Sequence, residues 1–484
     1  MADGERSREG FVREITDPDE DYSRWYQDTV TKADLADYGP VKGSMVMKPY
    51  GYAIWEAIQG GLDRRFRETG HGNAYFPLLI PESLLMKESE HVEGFAPEVA
   101  WVTQGGQEAL SERLAIRPTS EAIIMTMYAK WVESYRDLPL LINQWCNVLR
   151  WEKVTRPFLR GAEFLWQEGH TAHATGAEAE EETMRMLDVY EEFLRTELAI
   201  PSVKGRKSES EKFPGAVATY SVEAMMGDNR ALQSGTSHYF GTRFAEAFGI
   251  RYLDRDGELK LASTTSWGMS FRVIGALIMV HGDERGLVLP PRVAPTEVVI
   301  VPIASGESAQ DVLAEARRLA SELSGAHRVR LDDRAEFTPG WKYNEWEMRG
   351  VPLRIEIGPR DLKEKKAVLV RRDDRTKAPV PLGDIARAVE ATLSEIQANL
   401  LRKASASLAE RTFRVTRRSE MDDVLTERRG FVRGGWCGEA ACEREVKEAT
   451  GGTIRNLPLD QHDVSTCVAC GKRATAEAVW GRAY

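Results

Sequence analysis

The 484-residue chain is short of several things. It has 5 Cys and 8 His, too few for a disulfide framework or a metal-storage protein. It has no run of about 18 apolar residues, so no transmembrane helix is expected. It also lacks an excess of basic charge. Its 65 Lys and Arg stand against 75 Asp and Glu, a net charge of −10, which excludes a protein that coats nucleic acid by bulk attraction. Any such contact must come from local basic patches. Low-complexity tracts and internal repeats are missing too. Residues 1–25 are rich in Asp, Glu and Arg and have no apolar centre. They read as a charged lead-in, helical only where Phe11 and Val12 find a partner, and not as a signal peptide. The expected location is cytoplasmic. What is present is 42% apolar and 29% charged residues, enough for about three domains of roughly 150 residues each.

Apolar spacing supplies the elements. Trp55, Ile58, Leu62 and Phe66 recur at three and four residues before Gly70 and Gly72, which predicts a helix. The proline-bounded stretch 73–81 predicts an edge strand. Residues 118–131 predict a helix, 140–151 a strand, and 176–194 a helix whose acidic side chains form a solvated face. A boundary falls in the proline-rich stretch 289–295. Beyond it, strands at 297–302, Val329–Leu331, 351–358 and 367–371 alternate with a helix at Ala309–Leu323, an α/β pattern. A helix over 382–404 leads out. The division is therefore 1–292, 293–404 and 405–484.

Four segments could carry chemistry. In Arg150-Trp151-Glu152, placed on a strand, the Arg and Glu point to one face, and a basic loop then leads to a returning strand bearing Phe164, Trp166 and Glu168. Such a hairpin could set an Arg on a phosphate, or it could be a surface ion pair. In Arg117-Pro118-Thr119-Ser120-Glu121, Thr119 or Ser120 can cap a helix, or the hydroxyl and carboxylate can hold an ammonium group. Arg272 enters the apolar helix 273–280, where it needs an anion or a neighbouring carboxylate. Gln233 to His238 reads as a polar, Gly-containing loop. His281, Asp283 and Glu284 make only a weak metal pattern.

Taken in order, these segments resemble the class II aminoacyl-tRNA synthetase core. Phe76-Pro77 at the end of the first helix and strand resembles its first motif, Arg150-Trp151-Glu152 its second, and Gly268 to Arg272 its third. From about residue 20 to Tyr484 the chain resembles the prolyl-tRNA synthetase family, through 117–121, 163–170, 235–238 and 264–268. The resemblance implies an α+β class II core with an antiparallel sheet flanked by helices. An α/β anticodon-binding domain and a small α+β zinc-containing C-terminal domain would follow. It implies ATP-dependent attachment of L-proline to tRNA(Pro) through prolyl-adenylate, with ATP used as its Mg2+ complex. Thr119 and Glu121 would hold the imino group, and Trp166, Glu168 and His238 would wall and orient the ring. Arg150 would bridge the proline carboxylate and the α-phosphate, and Glu152 would face adenine. Arg160, Gln233, Thr236 and Ser270 would complete the ATP site, with Arg272 on the γ-phosphate. Arg150 and Arg272 would be the catalytic pair. Gly161 departs from the family, which usually carries Thr there. Thr119, Trp166 and His238 favour proline over threonine, serine, glycine or histidine. The presence of Arg150, Glu152 and Arg272 argues against a silent RNA-binding paralogue.

Despite the acidic whole, residues 359–377 hold eight basic and four acidic side chains, a patch suited to phosphates. By resemblance Glu356 would read anticodon guanines, with Arg360 and Arg371 as phosphate or base partners. Cys437 and Cys442, then Cys467 and Cys470, form two close pairs separated by 24 residues. They fit a structural four-thiolate zinc site, with disulfides as the competing reading. Cys146 is expected to be inert core. The extension and the terminal Arg482-Ala483-Tyr484 resemble the eukaryotic and archaeal-like form. Only 99 residues separate Glu168 from Gly268, too few for the editing domain of the bacterial-like form. A homodimer, with the Trp55–Phe66 helix and the following strand as contact, is also implied.

Overall fold

The computed structural model describes residues 15–91, 99–152, 154–304 and 306–484. Phe11 and Val12 lie outside the described residues. Its central feature is an 11-stranded, mostly antiparallel sheet. The catalytic part runs Ser202–Arg206, Ala218–Met225, Ala231–Gly241, Ser263–Ser270, Glu163–His173, Leu140–Leu149 and, paired parallel at the edge, Gly72–Asn73. One face is covered by the helix Gly176–Thr196, which buries Met186, Leu187, Tyr190, Phe193 and Leu194 at helical spacing. Trp267 and Met269 come up from the sheet into the same core.

Several expectations change here. The stretch 73–81 is not one strand. Gly72–Asn73 joins the large sheet, while Leu79–Pro81 pairs with Glu108–Ile116 in a separate three-stranded sheet. Pro77, without an N–H, sits where the chain leaves one sheet for the other. Within the stretch expected to be a lead-in, Asp21 caps a helix at Tyr22–Lys32 that buries Trp25 and Tyr26. Trp25 donates to Asp283 O at 2.9 Å and Tyr26 to Pro157 O at 2.7 Å, tying the helix to the core. The acidic helix is not solvated throughout. Glu182 is buried, 3.1 Å from His71 Nε2, and accepts from Arg185. Trp55, Ile58, Leu62 and Phe66 are all buried in the chain's own core, so a subunit contact through that helix would use its other face.

Residues after 295 build the expected α/β unit. Val329–Leu331, Val298–Pro302 and Leu353–Ile357 pair in parallel, and Lys366–Arg371 and Lys377–Pro381 complete a five-stranded sheet antiparallel. The two central strands are buried at every position, as a sheet covered on both faces requires. The exit helix is longer than its apolar pattern suggested, running Ile385–Glu410. The C-terminal unit then extends the catalytic sheet. Thr453–Pro458 pairs with Ser202–Arg206, and Ala476–Gly481, Phe431–Trp436 and Thr412–Arg414 follow outward. No helix among the described residues is long and apolar enough to cross a membrane.

Candidate active site

A cleft of about 310 Å³ opens on the sheet face opposite the Gly176–Thr196 helix. Strand register assembles its floor. Thr236, Gly268 and Glu168 lie in one row across three strands, and His238, Ser266 and His170 lie in the next. Trp166 sits opposite Ser270. Side chains alternate along a strand, so Trp166 and Glu168 face the cleft while Gln167 turns away and donates to Tyr190 of the covering helix. Gly169 must lack a side chain, because a Cβ there would run into the Trp267 ring.

One end of the cleft is acidic. Glu168, 1% exposed, accepts from Ser120 N at 3.2 Å, Gln144 Nε2 at 2.9 Å, His170 Nε2 at 3.1 Å and the Ser120 hydroxyl. Burial works to raise its pKa, but the His170 bond and charge, with Ser120 and Gln144, outweigh it and hold the carboxyl below the ordinary range. His170 shifts upward: burial opposes its charge, and the carboxylates of Glu168 and Glu121 overcome that. Glu121, also buried, accepts from Thr119 and, at 3.2 Å, from Ser266. Ligand atoms of Glu121, Glu168 and His170 lie within 4.8 Å of one another, a donor set suited to a small cation such as an ammonium group. His238 flanks this pocket, its Nδ1 2.9 Å from the Thr219 hydroxyl and its ring 4.7 Å from that of Phe213. Burial, then the charge of His170, pushes its pKa down to about 3, so it is neutral at pH 7.

The other end is cationic. Arg150 Nε donates to Pro118 O at 3.0 Å, and its guanidinium lies 5.4 and 5.5 Å from the rings of Phe164 and Trp166. Arg272 Nε donates to Leu159 O at 3.1 Å. Neither forms an ion pair among the described residues. Enclosure by the cleft walls lowers the pKa of both, and for Arg272 the charge of Arg150 adds to it. Arg150 nonetheless stays open to cleft water. Two unpaired guanidiniums side by side make an anion site. At the mouth Arg160 pairs with Glu152 at 2.9 Å, Gln233 donates to Thr236 Oγ1 at 2.6 Å, and Ser270 Oγ accepts from Arg272 N.

All twelve residues singled out in 119–272 thus line one cleft. Three local readings are corrected. Arg150 and Glu152 are not on a strand: it ends at Leu149, and Trp151, 52% exposed, marks the turn away from the sheet. Gln233 to His238 is not a loop but lies within the strand Ala231–Gly241. Neither Thr119 nor Ser120 caps the helix Glu121–Trp131, since their hydroxyls serve Glu121 and Glu168 instead. Cys146 is not apolar core either. Its sulfur lies 3.4 Å from Glu168 Oε1 and accepts from Trp166 Nε1, and burial followed by the Glu168 charge pushes the thiol pKa up. Ser266, Thr219, Phe213 and Lys207 also line the cleft and were missed. Of these only Ser266 lay inside a segment already singled out, beside Gly268. His281 bonds Leu198 O and Asp283 pairs with Arg372, so the weak metal pattern dissolves.

Elsewhere, Glu356 is buried between Arg354 at 3.0 Å and Lys377 at 3.5 Å. Arg360 is exposed on a short helix beside Glu364, whereas Arg371 is forked onto Asp373. The four C-terminal cysteines place their sulfurs within 4.8 Å of one another, and none is in a disulfide. Cys437 Sγ lies 3.5 Å from that of Cys442 and 3.8 Å from that of Cys470. A tetrahedron of thiolates at ~2.3 Å from zinc has edges of about 3.8 Å, so the donor set fits that ion.

Comparison with known proteins agrees with this layout. Residues 101–281 match the family described as tRNA synthetase class II core domain (G, H, P, S and T), residues 297–392 the anticodon binding domain, and residues 418–484 the prolyl-tRNA synthetase C-terminal domain. The chain is 58% identical to the proline--tRNA ligase of Alkaliphilus oremlandii, covering 98% of each chain. It is 57% identical to that of Symbiobacterium thermophilum, over 99% of this chain and all of that one. The crystal structure of prolyl-tRNA synthetase from Cryptosporidium parvum, complexed with halofuginone and AMPPNP, superposes with a TM-score of 0.93 at 40% identity, over 98% of this chain.

Proposed function

The chain belongs to the prolyl-tRNA synthetase family, and from that premise we propose how its residues divide the ATP-dependent joining of L-proline to tRNA(Pro). The observation that carries the assignment is the division of one cleft into a buried acidic pocket and a pair of unpaired guanidiniums. Glu121, Glu168 and Thr119 receive the secondary ammonium of proline. Trp166 and neutral His238 wall the pyrrolidine ring. Arg150 holds the proline carboxylate beside the α-phosphate. Glu152, Arg160, Gln233, Thr236 and Ser270 seat the nucleotide, and Arg272 takes the γ-phosphate. ATP enters as its Mg2+ complex.

A carboxylate oxygen of proline attacks the α-phosphorus, and pyrophosphate leaves with the electron pair of the broken bond. A terminal ribose hydroxyl of the tRNA then attacks the activated carbonyl, losing its proton, and AMP leaves. Neither step needs a protein nucleophile. The residues contribute position and charge, which is why guanidiniums and not a Ser-His pair dominate the site.

The α/β unit binds the anticodon, with Glu356 and Arg360 at the bases and Arg371 on phosphate once it exchanges Asp373. Cys437, Cys442, Cys467 and Cys470 hold a structural zinc. Four thiolates leave no open position for substrate. The enzyme acts in the cytoplasm as a homodimer. Exposed Tyr52 on the helix Pro49–Glu68, with Tyr75 and Leu79 beyond its end, supplies apolar area for that contact, and a monomer in sedimentation would refute it. The site assignment is tested by proline-dependent ATP–pyrophosphate exchange. Strong exchange with proline, abolished by Arg150→Ala, supports it. Absence of exchange with folded, zinc-loaded protein overturns it.

A further inference from the structure

The segment between the strands Ser202–Arg206 and Ala218–Met225 carries Lys207, Glu211 and Phe213 into the cleft wall. Phe213 lays its ring against His238, and its N–H donates to Thr219 Oγ1, which meets His238 Nδ1. Beside its bonds to Thr219 and Glu223 of the catalytic sheet, this segment is anchored by the C-terminal unit. Ser208 Oγ donates at 3.2 Å to Glu443 Oε2, and Ser210 Oγ donates to the same oxygen. Glu443 sits on the helix Ala440–Thr450, is 7% exposed, and directly follows Cys442. Lys207 Nζ donates to Arg455 O at 2.6 Å and to Glu223 Oε1 at 2.8 Å, and Arg455 bonds Glu223 from the other side. A carboxylate accepting two hydroxyls is a stiff clamp on a short connection, and the clamped residues lie three to five positions from the Phe213 ring.

We propose that Glu443 is a positioning residue for amino acid selection: by holding Ser208 and Ser210 it sets the 207–213 wall, and with it Phe213 and the Thr219–His238 pair, against the substrate ring. This rests on the proline reading of the cleft. Through this clamp the C-terminal unit shapes one side of the amino acid pocket. Small displacements of groups that orient a substrate cost large factors.

The test is steady-state pyrophosphate exchange, with wild type, Glu443→Ala, Glu443→Gln, the double variant Ser208→Ala/Ser210→Ala and the control Glu445→Ala. Glu445 lies on the same helix but faces Arg418 at the surface. Glu443→Ala and the double serine variant should each raise the KM for proline about tenfold, because only part of the loss of the two hydrogen bonds reaches the pocket wall through Phe213. The KM for ATP and kcat should stay within about twofold. Glu443→Gln, whose amide oxygen still accepts, should recover most of the loss, and Glu445→Ala should match wild type. The serine variant carries the test even if Glu443→Ala folds poorly. An unchanged proline KM in the serine variant overturns the proposal, as does an equal worsening of both KM values and kcat shared by Glu445→Ala. Absence of proline exchange by wild type would instead sink the reading of the cleft itself.

Discussion

Replacing Glu168 by Gln is nearly isosteric, so its effect reads the charge and donor pattern of the acidic pocket. In the native protein Oε1 receives Gln144 Nε2 and the Ser120 hydroxyl, and Oε2 receives Ser120 N–H and His170 Nε2. An amide offers one oxygen only. With that oxygen in the Oε1 position, the new NH2 confronts the Ser120 N–H, which has no other orientation. In the Oε2 position it confronts the Gln144 NH2. Gln144 cannot turn over without loss, because its own Oε1 accepts from Phe76 N at 2.6 Å. Either way one buried donor is stranded, at ~1–3 kcal/mol, and at least one bond of the charged kind is lost, at ~1.5–3 kcal/mol. The sum, about 2.5–6 kcal/mol, falls on stability and on the substrate ammonium together. We expect kcat/KM for proline in pyrophosphate exchange to drop by about 10²- to 10³-fold, with a melting temperature several degrees lower. The pH behaviour follows from the shifts. Because its folded pKa is depressed, Glu168 contributes stability that is full above the ordinary carboxyl range and is lost as pH falls through the folded value; the variant loses that acid limb. His170, with a raised pKa, contributes below about 6.5 and loses its share as pH rises through its folded value. A Glu168→Gln enzyme within threefold of wild type, melting within a degree of it, would refute the reasoning.

Three further outcomes are expected. Chelation, or Cys442→Ser, should remove one zinc per chain by elemental analysis and lower the melting temperature by several degrees, since thiolate ligation couples metal to folding; zinc-free protein of unchanged melting temperature would contradict it. Alanine should be activated at a measurable rate, because each missing methylene is worth only ~1–3 kcal/mol, and the purified chain should not hydrolyse Ala-tRNA; deacylation would count against the missing editing domain. Gly161→Thr should raise the KM for ATP a few-fold, because a Cβ there comes to 3.0 Å from the Glu163 carbonyl and pushes the loop that carries Arg160; a lower KM for ATP would show that the side chain was wanted.

Much of this site was legible because its residues sit in short ordered segments that resemble the motifs of a known family. The strand period by itself put Trp166 and Glu168 on one face, and misplaced Arg150 and Glu152, which lie past the strand end at Leu149. Failure came where polarity disguised structure. Gln233 to His238 has no apolar alternation because one side faces the cleft and the other needs small residues: a Cβ on Gly235 would meet the Tyr190 ring at 3.0 Å. A strand wanted by both neighbours for its smallness looks like a loop. Phe213 and Thr219 were invisible for another reason. Each touches His238, and a contact between segments brought together by folding leaves no local pattern. The helix start at 118–121 stayed open because the cap rule and an ammonium site call for the same residue types, and in the structure the hydroxyls bond Glu121 and Glu168 and cap nothing.

The pairing of Thr453–Pro458 with Ser202–Arg206 has a consequence for any shortened version of the protein. That seam pairs the flank of the catalytic half, with Asn456 reaching Val203 O at 3.0 Å and Leu459 N reaching Lys204 O at 3.3 Å. Cutting the chain after the long helix that ends at Glu410 would bare a row of backbone donors and acceptors on Ser202–Arg206. A bare flank of this kind recruits strands from other molecules. Such a truncation would not yield a smaller, tidy synthetase core. It would yield a sticky one, prone to self-association, so solubility is built into the C-terminal unit together with its four cysteines.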